Sequence, residues 1–281
     1  MAFPVPNEPP PNYIASAAEH GIRIRQSAPI RKGPLPFELP ILTHLKSKRV
    51  ILASASPRRK ALLSQVGLTN LEILPSEKPE DLSKTDYGPY EYVAATARQK
   101  CLDVYQVALA QQEAAQGTTE AEAPADPALV IAADTVIVTR DGRVLEKPRS
   151  EADHIRMLRH LRDTRMHRVL TAVCVLAPKD DASHPGYEIA AHTEETKVFF
   201  AQASDGLPDD VIESYVRTRE GADKAGGYAI QGIAGMILVE KIEGSVDNVV
   251  GLPVRKTLAL AEKVVFQQGE EEVAEDEEEE E

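Results

Sequence analysis

Apolar and polar positions along the chain fall into blocks that switch between a period near two and a period near 3.6, and the switches predict its elements. "RVILAS" (49–54) is a short apolar strand. Ser56 then stands where a helix N-cap belongs, with Pro57 at the first helical position, Leu62, Leu63 and Val66 on one side and Gly67 as the stop. "LEIL" (71–74) predicts a strand and "YEYVAATARQKCLDVYQVAL" (90–109) a helix. "LVIAADTVIV" (129–138) predicts a central strand, followed by a hairpin-type turn at Asp141-Gly142. Ser150 and Asp153 predict a capping box ahead of Ile155, Leu158 and Leu161. "RVLTAVCVLA" and "TEETKVFFAQA" predict further strands, "LPDDVIESYVRTR" a short helix and "MILVEKIEG" a strand. Val254, Leu258, Ala261 and Val265 give a last helix its apolar face. Strands and helices mix without a fixed repeat, which predicts an α/β fold with a mixed sheet under helical cover rather than a regular doubly wound one.

Three stretches lack this patterning. Residues 1–38 are rich in Pro and polar groups and predict a flexible leader; 110–128 is Ala, Glu, Thr and Pro without periodicity and predicts a surface insertion; 269–281 predicts a disordered acidic tail. The folded domain is therefore expected over 39–268. At 281 residues the chain could hold one large domain or two small ones, and 42% hydrophobic residues suit a packed core built without Trp. The net charge of −13 comes mostly from the tail: ten acids lie in the last twelve residues, so the other 269 sum to only −3. That argues against a general nucleic-acid surface without excluding a local basic cleft. Cys101 and Cys174, far apart in predicted regular elements, read as buried thiols of a reducing compartment. The N-terminal residues lack a secretory pattern, and no run of 18 apolar residues predicts a membrane span.

The candidate chemistry starts where the first strand runs straight into a helix. Such a turn presents unpaired amides and a positive dipole end, an anion site. Ser54 and Ser56 add hydroxyl donors there, and Arg58 and Arg59 add fork-shaped donors suited to phosphate. The two arginines diverge on a helix, so one of them, Arg58, is expected to face a ligand; a capped helix with solvated arginines reads equally well from this motif alone. Asp134 interrupts an apolar strand, and a buried carboxylate needs a cation, a metal or strong donors. Glu77, Glu80 and Asp81 in "PSEKPEDL" offer hard oxygens for a magnesium-like ion. Thr135 beside Asp134 leaves a regular strand on the opposite face, so their cooperation requires an edge, a twist or a bulge. Lys100, Lys147 and Lys224 could balance charge, although each alone reads as a surface residue. In "ADKAGGYAIQG" the glycines permit close approach, Tyr228 could stack and Gln231 offers a donor and an acceptor to a base edge, against a plain tight turn. His167, ahead of a strand, reads as packing or as catalytic. A Walker A loop, a G-x-G-x-x-G turn after a strand and H-x-x-x-H spacing are all missing, which disfavours P-loop kinases, nicotinamide oxidoreductases and zinc hydrolases.

Together "LASASPRRKALL", "PSEKPEDL", "TARQK", "VIAADTVIV", "GRVLEKP", "HRVLTAV", "DKAGGYAIQG" and "GSVDNVVGLP" resemble the Maf family of nucleoside triphosphate pyrophosphatases, also described as septum-formation-inhibitor-like, in family order over roughly 48–266. The resemblance implies an elongated mixed α/β fold with two lobes around a central cleft, related to the inosine-triphosphate pyrophosphatase fold, a homodimer, and a cytoplasmic enzyme without membrane or nucleic-acid partners. It implies hydrolysis of a nucleoside triphosphate to monophosphate and diphosphate with a divalent metal, Mg²⁺ or Mn²⁺. Asp134 falls on the proton acceptor, Arg58, Thr135 and Gln231 on specificity positions, Ser54, Ser56, Arg58, Lys100, Lys147 and Lys224 on the phosphate site, and Glu80 with Asp134 on the metal. "SPRR" with "YAIQG" resembles the branch acting on dTTP, UTP and some modified pyrimidine nucleotides; the branch selective for 7-methyl-GTP carries a glutamate at the Gln231 position. A nucleotide-binding regulatory module with little turnover, and phosphatase or nucleotidyltransferase chemistry in the same cleft, stay open from the residues alone.

Overall fold

The computed structural model describes residues 37–79, 82, 87–116, 125–179 and 186–268. The leader through residue 36, the acidic tail and residues 117–124 of the predicted insertion therefore lie outside the described residues. The elements run α1 (Pro40–Leu45), β1 (Arg49–Leu52), α2 (Pro57–Gln65), β2 (Leu71–Ile73), α3 (Pro89–Gln116), β3 (Pro127–Thr139), β4 (Val144–Leu145), α4 (Glu151–Thr164), β5 (Met166–Pro178), β6 (Tyr187–Phe200), α5 (Asp209–Thr218), α6 (Ile233–Ile237), β7 (Val239–Glu243), α7 (Val246–Val250) and α8 (Val254–Phe266). Short 3₁₀ turns occupy Ala203–Asp205 and Ala225–Gly227.

The strands form one mixed sheet in the order β2-β1-β3-β5-β6-β7, with β4 paired to β3 off this path. β1 lies parallel to β2 and β3, because helices α2 and α3 carry the chain back between them; the remaining pairs are antiparallel. β3 is central and buried on both faces, which is why its sequence reads as a nearly continuous apolar run. Val130, Ala132, Val136 and Val138 pack with Val93, Ala97, Cys101 and Val104 of α3. Leu129, Ile131 and Ala133 point the other way, onto α1, α2 and α8. Beyond them Ile137 and Val169 join Leu158, Leu161, Ile212 and Tyr215 of α4 and α5 in a separate cluster. The second face thus holds two apolar clusters, and between them β3 and β5 carry Thr135 opposite Thr171. Cys101 and Cys174 are buried free thiols on the α3 side.

Several boundaries move for identifiable reasons. α3 continues seven residues past its predicted end, since "AQQEAAQ" is made of strong helix formers; the predicted insertion therefore begins as helix, and β3 starts at Pro127 inside its other end. α1 lies ahead of the first predicted element. Six residues do not make a stable helix alone, but Ile41, Leu42 and Leu45 are buried against α8, each worth about 1.5–3 kcal/mol of transfer free energy. β6 begins at Tyr187, six residues before its predicted start, because the long β5 supplies it a partner along its whole length. Met236 and Ile237, the first two residues of the strand expected at 236–244, are helical instead: Glu220 accepts hydrogen bonds from the amides of Ile233 and Ala234 and starts a short turn over Ile233–Ile237. Ser150 caps α4 as expected, its hydroxyl oxygen accepting from Asp153 N at 3.1 Å, while the Asp153 carboxylate accepts from Arg149 N at 3.0 Å, one residue before the cap. Ser56 occupies the N-cap of α2 without a side-chain cap hydrogen bond, so its hydroxyl is not spent on the helix.

Candidate active site

β1 pairs with β3 only as far as Leu52 opposite Ile131, with one more hydrogen bond from Ala53 N to Ile131 O. β4 joins the same side of β3 only from Leu145 opposite Ile137. Residues 132–136 of β3 therefore face a gap on that side, while β5 pairs without a break on the other. Asp134 and Thr135 stand in this gap. A strand edge can be reached from both faces, which is how two side chains of opposite orientation line one cleft of about 620 Å³. Of the three devices that could unite them, the edge is the one used.

The other walls come from four segments. The turn after β1 and the start of α2 supply Ser54, Ser56, Arg58 and Arg59; the segment after β2 supplies Ser76; the segment after β4 supplies Glu146 and Lys147; residues 223–231 supply Asp223, Tyr228 and Gln231. α3 reaches in with Lys100, whose Nζ pairs with Asp134 Oδ1 at 2.8 Å. Both partners are largely buried, with side chains 15% and 11% exposed, so Asp134 has the cation that a buried carboxylate requires.

Both arginines line the cleft, contrary to the expectation that only one does. Arg58 Nε donates to Val250 O at 3.4 Å, and burial lowers its pKa against the opposing pull of Asp223. Arg59 is the more tightly held: Nε donates to Gly251 O at 2.8 Å, Nη1 to Ser54 Oγ at 2.9 Å and Nη2 to Thr135 Oγ1 at 3.1 Å. Gly251 closes α7 at φ +122°, a conformation reserved for glycine, and this aims its carbonyl at Arg59. Ser54 of the turn after β1 and Thr135 of β3 are thus joined through one guanidinium.

The 223–232 segment is fixed from behind. His154 Nε2 meets Gly227 O, Tyr215 Oη accepts from Ala229 N at 3.3 Å, and His167 Nε2 lies 2.7 Å from Tyr228 Oη. Gly227 has φ +75°, and a Cβ there would collide with the His154 ring. Tyr228 is almost wholly buried, its ring edge-on to Phe200 and His167, so its expected stacking role gives way to packing along the cleft wall. His167 has a packing role: it is inaccessible to water, and burial pushes its pKa down to about 3. The unfolded chain takes up this proton near pH 6.5 and the folded protein only near 3, so stability present above pH 6.5 is lost as pH falls through that window, at about 1.4 kcal/mol per pH unit. Urea midpoints measured from pH 7 to 4 should decline less steeply in His167→Gln than in the native chain; identical slopes would show that His167 titrates normally.

Ser54, Ser56, Arg58, Lys100, Asp134, Thr135, Lys147 and Gln231 all line the cleft. Lys224 does not: its ammonium pairs with Asp223, and it is Asp223 that faces the cleft. Glu80 and Asp81 lie outside the described residues, and Glu77 is exposed away from the lining. Arg59 was named beside Arg58 as a phosphate donor but passed over as the one facing the ligand, and Asp223 stood in the sequence only as the charged neighbour of Lys224. Ser76 and Glu146 were not singled out, and of these only Glu146 had a usable signal, as the neighbour of Lys147 in a charged motif. Segment 75–79 is anchored by Asp103, which accepts from Ser76 Oγ at 2.6 Å and pairs with Lys78 at 3.0 Å. Serine hydroxyls, two guanidiniums and two ammonium groups outnumber three carboxylates, Asp134, Glu146 and Asp223, and make a cleft suited to a polyanion whose reacting atom sits near Asp134.

The profile of the family described as "Maf-like protein" matches residues 49–264. A dTTP/UTP pyrophosphatase of Schizosaccharomyces pombe (strain 972) is 42% identical over 243 residues, 86% of this chain and 94% of the relative. A dTTP/UTP pyrophosphatase of Anaeromyxobacter dehalogenans (strain 2CP-1) is 44% identical over 218 residues, 78% of this chain and 95% of the relative. A Homo sapiens protein named probable bifunctional dTTP/UTP pyrophosphatase/methyltransferase protein is 40% identical over 215 residues, 76% of this chain but only 32% of that longer relative. With a family profile spanning the whole sheet and cleft, and relatives of this identity matched nearly end to end, the chain belongs to the Maf-like protein family.

Proposed function

We propose that the protein is a nucleoside triphosphate pyrophosphatase that hydrolyses dTTP and UTP, with modified pyrimidine nucleotides as further substrates, to the monophosphate and diphosphate. The observation that carries this reading is Asp134, held by Lys100 in the edge gap of β3, facing the cationic turn after β1 across one cleft. Water attacks the α-phosphorus, the bond from that phosphorus to the bridging oxygen breaks, and diphosphate leaves. Asp134 orients the water and takes its proton. Arg58, Arg59, Lys100 and Lys147 neutralise the phosphate chain and the charge that develops on the leaving group, while Ser54 and Ser56 donate to its oxygens. Lys224 acts one step removed, by holding Asp223. Gln231, with Arg58 and Thr135, selects the base.

A divalent cation, Mg²⁺ or Mn²⁺, belongs to this reading. Asp134 and Glu146 bring hard carboxylate oxygens to the cleft, and a magnesium ion needs only one or two such ligands when phosphates supply others. Among the described residues no three acids, histidines or cysteines gather to hold a metal by themselves. Asp134 with Glu80 would hold the ion beside the substrate. When bound, it neutralises phosphate charge as a Lewis acid. No helix among the described residues is long and apolar enough to cross a membrane; the buried thiols suit a cytoplasmic setting, and the working form is a homodimer.

Incubation with a panel of triphosphates and Mg²⁺, followed by product separation, tests the activity. Monophosphate plus diphosphate is expected, suppressed by a chelator; stepwise release of inorganic phosphate would mark a phosphatase, and binding without products a regulatory module. Gln231→Glu should shift the order of preferred bases by about tenfold or more while leaving the diphosphate product unchanged. An unaltered order across the panel would remove Gln231 from base selection.

A further inference from the structure

We infer that Thr171, a fully buried residue outside the cleft, is a specificity-determining positioning residue: it fixes Thr135 as a hydrogen-bond acceptor toward the bound base. The inference rests on the reading of the cleft as a pyrimidine nucleotide site and deepens it.

A threonine hydroxyl has one hydrogen to donate and two lone pairs to accept. Arg59 Nη2 donates to Thr135 Oγ1, which occupies one lone pair of Thr135. Thr135 and Thr171 are directly opposed in the antiparallel ladder, with their Oγ1 atoms 3.0 Å apart. Thr171 Oγ1 in turn donates to the carbonyl of Asn248 at 3.1 Å. A carbonyl has no hydrogen, so the single hydrogen of Thr171 is spent on it. The hydrogen shared between the two threonines is therefore that of Thr135. This direction makes three bonds in a row, and reversing the threonine pair forfeits one of them inside a water-free layer.

The far end of the row does not swing. Asn248 is inaccessible to water, and its side-chain amide donates to Val169 O at 3.2 Å, Glu194 O at 3.3 Å and Thr196 Oγ1 at 2.9 Å. Its carbonyl also accepts from Gly251 N at 3.0 Å, in the turn whose own carbonyl holds Arg59. Arg59, Thr135, Thr171 and Asn248 thus form a closed polar seam between the two apolar clusters of this sheet face. The motifs "HRVLTAV" and "GSVDNVVGLP", which contribute nothing direct to the chemistry of the cleft floor, meet in it.

The consequence lies at the cleft. Thr135 turns its hydrogen inward and its remaining lone pair outward. Phosphate oxygens have no hydrogen to offer it, whereas a ring N–H does. Uracil and thymine carry N–H at ring position 3, and cytosine carries a lone pair there. Thr135 therefore accepts the first two and opposes the third, for as long as Thr171 keeps its proton drawn inward.

Valine has the shape of threonine without the hydroxyl, so Thr171→Val leaves the hydroxyl of Thr135 free to turn and donate outward. Two ratios test this: kcat/KM for UTP over CTP, and the Kd ratio for the same nucleotides by calorimetry in the Asp134→Asn background. Both preferences should shrink about tenfold in Thr171→Val and stay within about twofold of native in Thr171→Ser, at melting temperatures that show folded proteins. Unchanged ratios in a folded Thr171→Val protein overturn the inference, as does equal loss in the Val and Ser variants, which would assign the effect to packing. Native protein that binds both nucleotides but forms no diphosphate overturns the proposed activity alone, and the Kd ratio still judges Thr171. Native protein that binds neither overturns both.

Discussion

Asp134→Asn lowers kcat for UTP by about 10²–10⁴-fold, the range expected when a positioned general base is removed, with KM changed far less. Asparagine keeps the size of the side chain and an oxygen acceptor for Lys100 Nζ, so the packing of α3 on β3 survives. It cannot take a proton from water. Steady-state rates with diphosphate detection, alongside a thermal melt, check the assignment. Native turnover from a folded Asp134→Asn protein would falsify it, whatever else the cleft binds.

Arg59→Lys lowers kcat/KM by about 10²-fold and destabilises the fold by roughly 1–3 kcal/mol, although it conserves charge. Arg59 makes three directed bonds at once, to Gly251 O, Ser54 Oγ and Thr135 Oγ1. A lysine ends in one tetrahedral ammonium and cannot span a loop carbonyl, a strand-end serine and a central-strand threonine together. Loss of the fork leaves Gly251 O short of a donor and lets Ser54 and Thr135 drift apart. Kinetics and denaturant midpoints should therefore move together in this variant. A protein with native kcat/KM would mean that the charge alone matters and the clamp does not.

Much of the fold was legible because its causes are local. Pro57 behind Ser56, the cap at Ser150, the apolar run of β3 and the spacing of Val254, Leu258 and Ala261 each follow from cap chemistry and from periods of two or 3.6. The misjudged stretches are those where contact at a distance outweighs local pattern. α1 is too short to stand alone and forms on the apolar surface of α8. α6 is started by Glu220, thirteen residues away from Ile233.

The candidate site divides along the same line. The chain by itself determined that a strand runs straight into a helix at a turn carrying Ser54, Ser56 and two arginines, that a carboxylate interrupts the central strand, and that Asp134 and Thr135 point to opposite sides, because strand alternation and helix ends are written within a few residues. It could not show that β1 stops pairing at Ile131 and β4 starts at Ile137, the interval that lets both side chains enter one cleft. Nor could it show which arginine is clamped, since the carbonyls that hold Arg58 and Arg59 lie 192 residues further along. Strand register and helix rotation are set by burial across the whole sheet. Only the assembled tertiary structure therefore decided which functional groups meet.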